Sequence, residues 1–170
     1  GSVQDISHIG NLNDLSVEED INTLSAVRCV NRERMMVAEG MLRLNQINLY
    51  SLNSDSSKTL CIGDHLMDVV ETDKCPKIKR HKYYGYILSY EDYFVALYQN
   101  ISYKKYFEGD GNSQLQFFTW EGKPLLCINL PYFITSFFIS KGRYLYIFSN
   151  GGEEEVMYKY DCGEILQSIV

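Results

Sequence analysis

A chain of 170 residues is long enough to bury a core of its own, and a hydrophobic fraction of 45% with 14% aromatic residues excludes global disorder. The formal net charge of -6 would repel a phosphate backbone, which argues against a nucleic-acid partner. No apolar run reaches the roughly 18 residues that a membrane-spanning helix needs, so no transmembrane segment is expected.

Gly1-Ser2 reads as a cloning junction, so an export signal ahead of it is expected to have been removed. Residues 3–20 are read as an N-terminal arm or a strand that closes a ring. From there the pattern is one of strands. Asn22 to Val30 runs into the polar turn Asn31-Arg32-Glu33-Arg34 and then into Met35-Met36-Val37-Ala38. A second hairpin follows, with Asn48-Leu49-Tyr50-Ser51 before a Ser/Asn/Asp turn and Lys58 to Ile62 after it.

The same cadence returns twice. Tyr83 to Tyr90, the turn Glu91-Asp92 and Tyr93 to Tyr98 form one hairpin, and Phe117-Phe118-Thr119-Trp120-Glu121-Gly122 leads into Leu125 to Leu130. Ile134 to Ser140, Lys141-Gly142-Arg143 and Tyr144 to Phe148 repeat the first hairpin. Met157-Tyr158-Lys159-Tyr160-Asp161-Cys162-Gly163 then leads into Glu164 to Val170, read as the closing strand. Three units result, at 21–65, 83–131 and 132–170, each of four strands and the size of a propeller blade. The fold class expected is therefore all-β: three four-stranded antiparallel blades, half of a six-bladed β-propeller. A β-sandwich is the alternative.

The segments Tyr93-Phe94-Val95-Ala96-Leu97-Tyr98-Gln99-Asn100 and Leu115 to Leu126 resemble the TolB-like six-bladed β-propeller proteins, a bacterial family. The resemblance is fullest over residues 83–170. It implies export to the periplasm or cell surface, often as a lipoprotein, and no established activity. Its motifs are packing patterns, so it carries over no catalytic residue and no cofactor. Such proteins hold six blades in one chain. Three blades leave two faces open, which implies a homodimer closing the ring or a piece of a longer chain.

Five cysteines, at 29, 61, 75, 127 and 162, stand in no C-x-x-C pair, so neither a zinc site nor a disulfide framework is indicated. Cys29, Cys61 and Cys127 lie in apolar runs and are read as buried. Cys75 and Cys162 are read as exposed thiols. Trp120, Tyr158 and Tyr160 are read as packing between blades.

Strands that alternate in direction send all the long connections to one rim, and elaborated loops on a rigid scaffold commonly carry binding. On that rim the binding candidates are Lys79, Arg80, His81, Tyr98, Asn100, Tyr103, Lys104, Lys105 and Tyr106, suited to a protein or an anionic glycan. Glu153-Glu154-Glu155 adds an acidic run there. Asp64, His65 and Asp68 are the candidate metal ligands, at a spacing that matches no ligand motif. The innermost strands offer little to an axial metal, so a non-catalytic binding or scaffold module is expected, with a metal-dependent propeller hydrolase or lyase as the alternative.

Overall fold

The structure is a computed structural model that describes residues 21–63, 66–76, 79–149 and 155–169. The arm at 3–20, Asp64, His65, Glu153 and Glu154 lie outside the described residues. The described residues form three antiparallel sheets, each built from consecutive strands. The first holds β1 (Ala26–Asn31), β2 (Met36–Met41), β3 (Gln46–Ser51) and β4 (Ser57–Cys61). The second holds β5 (His81–Ser89), β6 (Tyr93–Ser102), β7 (Ser113–Thr119) and β8 (Pro124–Leu130). The third holds β9 (Ser136–Ser140), β10 (Tyr144–Ser149) and β11 (Val156–Asp161).

Short helices fill three connections. A single 3-10 turn spans Ile21–Leu24, α1 (Val69–Lys74) lies between the first two sheets, and α2 (Tyr103–Glu108) joins β6 to β7. The last element corrects an expectation. After β11 the chain forms α3 (Gly163–Gln167), not a fourth strand, and its Leu166 is buried in the core below. A short apolar run serves a strand and a helix equally well, and here a single turn suffices to plug the space.

The alternation of side chains explains how the sheets stack. In the first sheet Cys29, Ala38 and Leu49 stand in one cross-strand row and face the second sheet. They meet Phe94, Ala96, Phe118 and Trp120 from the opposite side. The other parity of β6, namely Tyr93, Val95 and Leu97, packs on Ile139, Leu145 and Ile147 of the third sheet. The middle sheet is thus covered on both faces. Its edge strand β5 lies against β1 and β2 on one side and β9 on the other.

The outer face of the first sheet is polar and organised. Arg28, Glu39, Asn48 and Thr59 stand in one row across all four strands. Glu39 is only 9% exposed. Its carboxylate accepts from Arg28 Nε at 2.5 Å, Asn48 Nδ2 at 3.2 Å and the Tyr50 hydroxyl at 2.9 Å. The outer face of the third sheet is different, with Phe138, Phe148 and Met157 all exposed.

Hairpin turns close the far rim and tie adjacent sheets together. Arg34 in the β1–β2 turn pairs with Asp92 at 2.9 Å in the β5–β6 turn, and Lys58 Nζ donates to the Glu121 carbonyl at 2.9 Å. Gly122 turns with φ +81°, and a Cβ there would stand 2.6 Å from Leu60 Cδ2. Glycine suits that turn, because any other residue would strain the left-handed backbone and push the Leu60 side chain aside.

Trp120 is buried between the first two sheets, as its position before a turn predicts. Tyr158 and Tyr160 are not. They remain more than a third exposed, stacked along Tyr132 at an open edge, because β11 is the last strand of its sheet. Cys29 is buried, while Cys61, Cys75 and Cys162 are half-buried. Cys127 is exposed, contrary to the expectation from its apolar neighbours, because β8 is an edge strand whose outer positions meet solvent.

Candidate functional site

The long connections gather on one rim. The link through α1 enters β5 beside the end of β6, where Tyr103 N–H donates to the Arg80 carbonyl at 3.0 Å. The β2–β3 loop joins them, its Leu42 carbonyl accepting from Tyr83 N–H at 2.8 Å.

At the centre stands α2. Ser102 caps its N-terminus by accepting from Lys105 N–H at 3.4 Å, and Gly109 ends it in the left-handed region at φ 65°. The helix projects a patch of three rings. Tyr106 meets Phe107 at 5.8 Å and Phe133 at 5.5 Å, and Tyr103 meets Phe107 at 5.9 Å. Phe107 is 77% exposed, an unusual position for a phenyl ring. Two cations sit on these rings: Lys82 Nζ lies 3.6 Å from the Tyr106 centroid and the Arg43 guanidinium 4.5 Å from that of Tyr103. Such an arrangement offers flat apolar area flanked by positive charge, which suits a partner carrying both apolar groups and carboxylates.

The expected site residues divide into several groups. Tyr103 and Tyr106 belong to the patch, and Lys82 and Arg43 complete it although the sequence reading did not select either as a site residue. Lys104 pairs with Glu108 at 3.9 Å and Lys105 with Asp110 at 3.4 Å, so both serve the helix surface. Lys79 is exposed. His81 Nδ1 and Asn100 Oδ1 meet at 2.8 Å, and Asn100 itself adopts φ 48°. Tyr98 lies one row inward against Tyr83 and Tyr84, and burial pushes its hydroxyl pKa up.

Arg80 points inward. Its guanidinium is buried, donates to the Cys75 carbonyl at 2.7 Å and to the Asp73 carbonyl, and pairs with the Asp73 carboxylate at 3.5 Å. It closes the C-terminal end of α1 against β5 and takes no part in the patch.

Asp68, one of the three candidate metal ligands in a chain expected to hold no metal, accepts from Glu71 N–H at 2.9 Å and caps α1. Among the described residues no group of three or more His, Cys, Asp or Glu side chains could hold a metal ion. Among the described residues no helix is long and apolar enough to cross a membrane.

The site and sheets therefore define an all-β protein with an elaborated rim. No protein-family model and no curated protein matches the sequence. Among solved structures it is similar to a crystal structure of a member of the DUF4221 family from Bacteroides vulgatus ATCC 8482, with a TM-score of 0.54 and 9% identity. The match covers 82% of this chain and 46% of that one, so the present chain spans about half of its length. At that identity the likeness is one of fold alone.

Proposed function

We propose that the three sheets are blades of a six-bladed, TolB-like β-propeller and that the chain is a non-catalytic binding or scaffold module of the bacterial cell envelope, at the periplasm or cell surface. Two observations support blades over a sandwich. The middle sheet is covered on each face by a different sheet, whereas a sandwich pairs two sheets on one core. A match that spans 46% of the DUF4221 chain also suits a chain holding about half of a longer fold. The open faces are then completed by a second copy or by further blades of a longer chain.

One observation carries the functional reading. Aromatic and cationic side chains converge around α2 on the rim that holds the long connections, while the other rim is built of hairpin turns. The partner is a protein or an anionic glycan that covers Phe107 and meets Lys82 and Arg43.

An array of anionic glycans and acidic peptides, probed with the intact chain, tests this reading. Binding that Lys82→Glu and Phe107→Ala each weaken at least tenfold, and that Arg34→Ala on the far rim leaves unchanged, supports it. Binding lost with Arg34→Ala but kept by both rim variants would place the working face on the other side and overturn it, as would no binding at all.

A further inference from the structure

The same rim carries a cleft that the aromatic–cationic patch does not use. It lies between the ends of β6, β7 and β8, with a volume of about 440 Å³, inside the roughly 300–1,000 Å³ usual for small-ligand sites. Five carboxamides supply most of its polar lining: Gln99, Asn100, Asn112, Gln114 and Asn129. Tyr98 adds the one aromatic ring, and no charged side chain lines it. An ion entering here would lose water without gaining a counter-charge. A polyol would not, because its hydroxyls donate and accept just as each carboxamide does. The C–H side of a sugar packs on a flat apolar ring, and Tyr98, which also meets Tyr83 and Tyr84, is the ring among the lining residues.

The lining groups are held in set orientations. Tyr98, Gln114 and Asn129 are successive neighbours in one row across the second sheet. A relay of donated hydrogen bonds runs out to that row from the core. The Tyr84 hydroxyl donates to Gln116 Oε1 at 3.2 Å, Gln116 Nε2 to Gln114 Oε1 at 3.1 Å, and Gln114 Nε2 to Asn129 Oδ1 at 2.9 Å. Each link ties one amide to the next, so the Asn129 carboxamide at the exposed end is held in place and keeps a polar atom free for a ligand hydroxyl. On the other face Gln99 Nε2 donates to the Ile134 carbonyl at 2.8 Å, and the Ser113 hydroxyl accepts from Ile134 N–H at 3.2 Å. Groups fixed before binding lose little freedom when a ligand arrives.

We propose that this cleft binds an uncharged carbohydrate, one sugar unit of a neutral glycan, with Gln114 and Asn129 meeting its hydroxyls and Tyr98 its ring. The inference rests on the reading of this rim as the binding face and names the ligand class of one part of it.

Titration calorimetry on the intact chain tests it, with neutral gluco-, manno-, galacto- and xylo-oligosaccharides as probes and polygalacturonate as the anionic comparison. At least one neutral series should bind. Asn129→Ala, at an exposed position, should weaken it about tenfold, as loss of one well-placed hydrogen bond does. Asn112→Ala serves as a second variant, and Arg34→Ala should change nothing. No binding by any neutral series, or neutral binding indifferent to Asn129→Ala and Asn112→Ala, overturns the inference. Polygalacturonate bound in place of the neutral series, and released by Lys82→Glu, overturns the cleft assignment while sustaining the rim as the binding face.

Discussion

The indole Nε1–H of Trp120 donates to the backbone carbonyl of Tyr90 at 3.1 Å. Asn31 Nδ2 reaches the same carbonyl at 3.3 Å from the first sheet. One oxygen in the β5–β6 turn therefore joins a β7–β8 turn to the neighbouring sheet, and the Trp120 ring, 1% exposed, fills the space beneath against Phe94. Trp120→Ala should cost about 3–5 kcal/mol, as truncation of a large buried ring does. Trp120→Phe keeps much of the ring and loses the hydrogen bond, so about 1–2 kcal/mol is expected. Urea unfolding followed by circular dichroism measures both. Equal stability for all three proteins would mean that the sheets do not meet through this residue.

Arg80 makes a different kind of contact, one that holds a connection in place. Replacing it with Met leaves two helix-end carbonyls and the Asp73 carboxylate short of their buried donor. A loss of roughly 2–4 kcal/mol is expected, the range for breaking a buried charge network from one side. Amide exchange should quicken most over 69–76, the segment that the guanidinium closes. Rim binding by the patch should persist in the variant under conditions where it is folded.

The sequence made the strand cadence legible because alternation is a local property, visible without knowing what each face meets. It also showed which rim holds the long connections, since strand direction alone decides that. The side of Arg80 was not legible. A run such as Lys79-Arg80-His81-Lys82 reads as exposed charge available to a partner, and only the carbonyls at the end of α1 reveal that Arg80 is buried. The helix α2 was read as loop although Ser102 and Gly109 are its capping signals; the aromatic content of Tyr103 to Phe107 obscured them. Lys82 escaped selection as a site residue for a related reason, because cation–ring pairing depends on where α2 places Tyr106. The strand expected at Glu164 to Val170 failed because Leu166 satisfies the same apolar space from a single helical turn.

Alkaline pH should weaken the fold. Burial pushes the Cys29 thiol from 9.0 up to about 12 and the Tyr90 hydroxyl from 10.0 up to about 12, with Tyr84 and Tyr50 raised further. The folded chain thus keeps protons that the unfolded chain releases. Their contribution is fully present below about pH 9 and is lost as pH rises toward 12. Unfolding free energies from urea titrations at pH 8, 9, 10 and 11 should fall progressively. Cys29→Ala should flatten the decline that begins near pH 9, and Tyr90→Phe the part that begins near pH 10. A stability constant to pH 11 would contradict the buried, protonated state of these groups.

The outer face of the third sheet bears on the proposal that a second copy completes the fold. Ser136, Phe148 and Met157 form one cross-strand row, and Phe138, Tyr146 and Lys159 the next. Phe138 and Met157 are more than half exposed, at 51% and 58%. Contiguous apolar area of this kind marks an interaction surface. If a second copy covers it, light scattering coupled to size exclusion should return a dimer that persists on dilution. Met157→Glu places a charge in the middle of that face and should shift the species to a monomer, with the thermal transition of the isolated chain little changed because the side chain is exposed. A wild-type protein that is monomeric across the whole concentration series would exclude closure by two copies. On the propeller proposal the apolar rows would then be covered by further blades, and supplying such a segment should bury Met157 and slow its oxidation by peroxide.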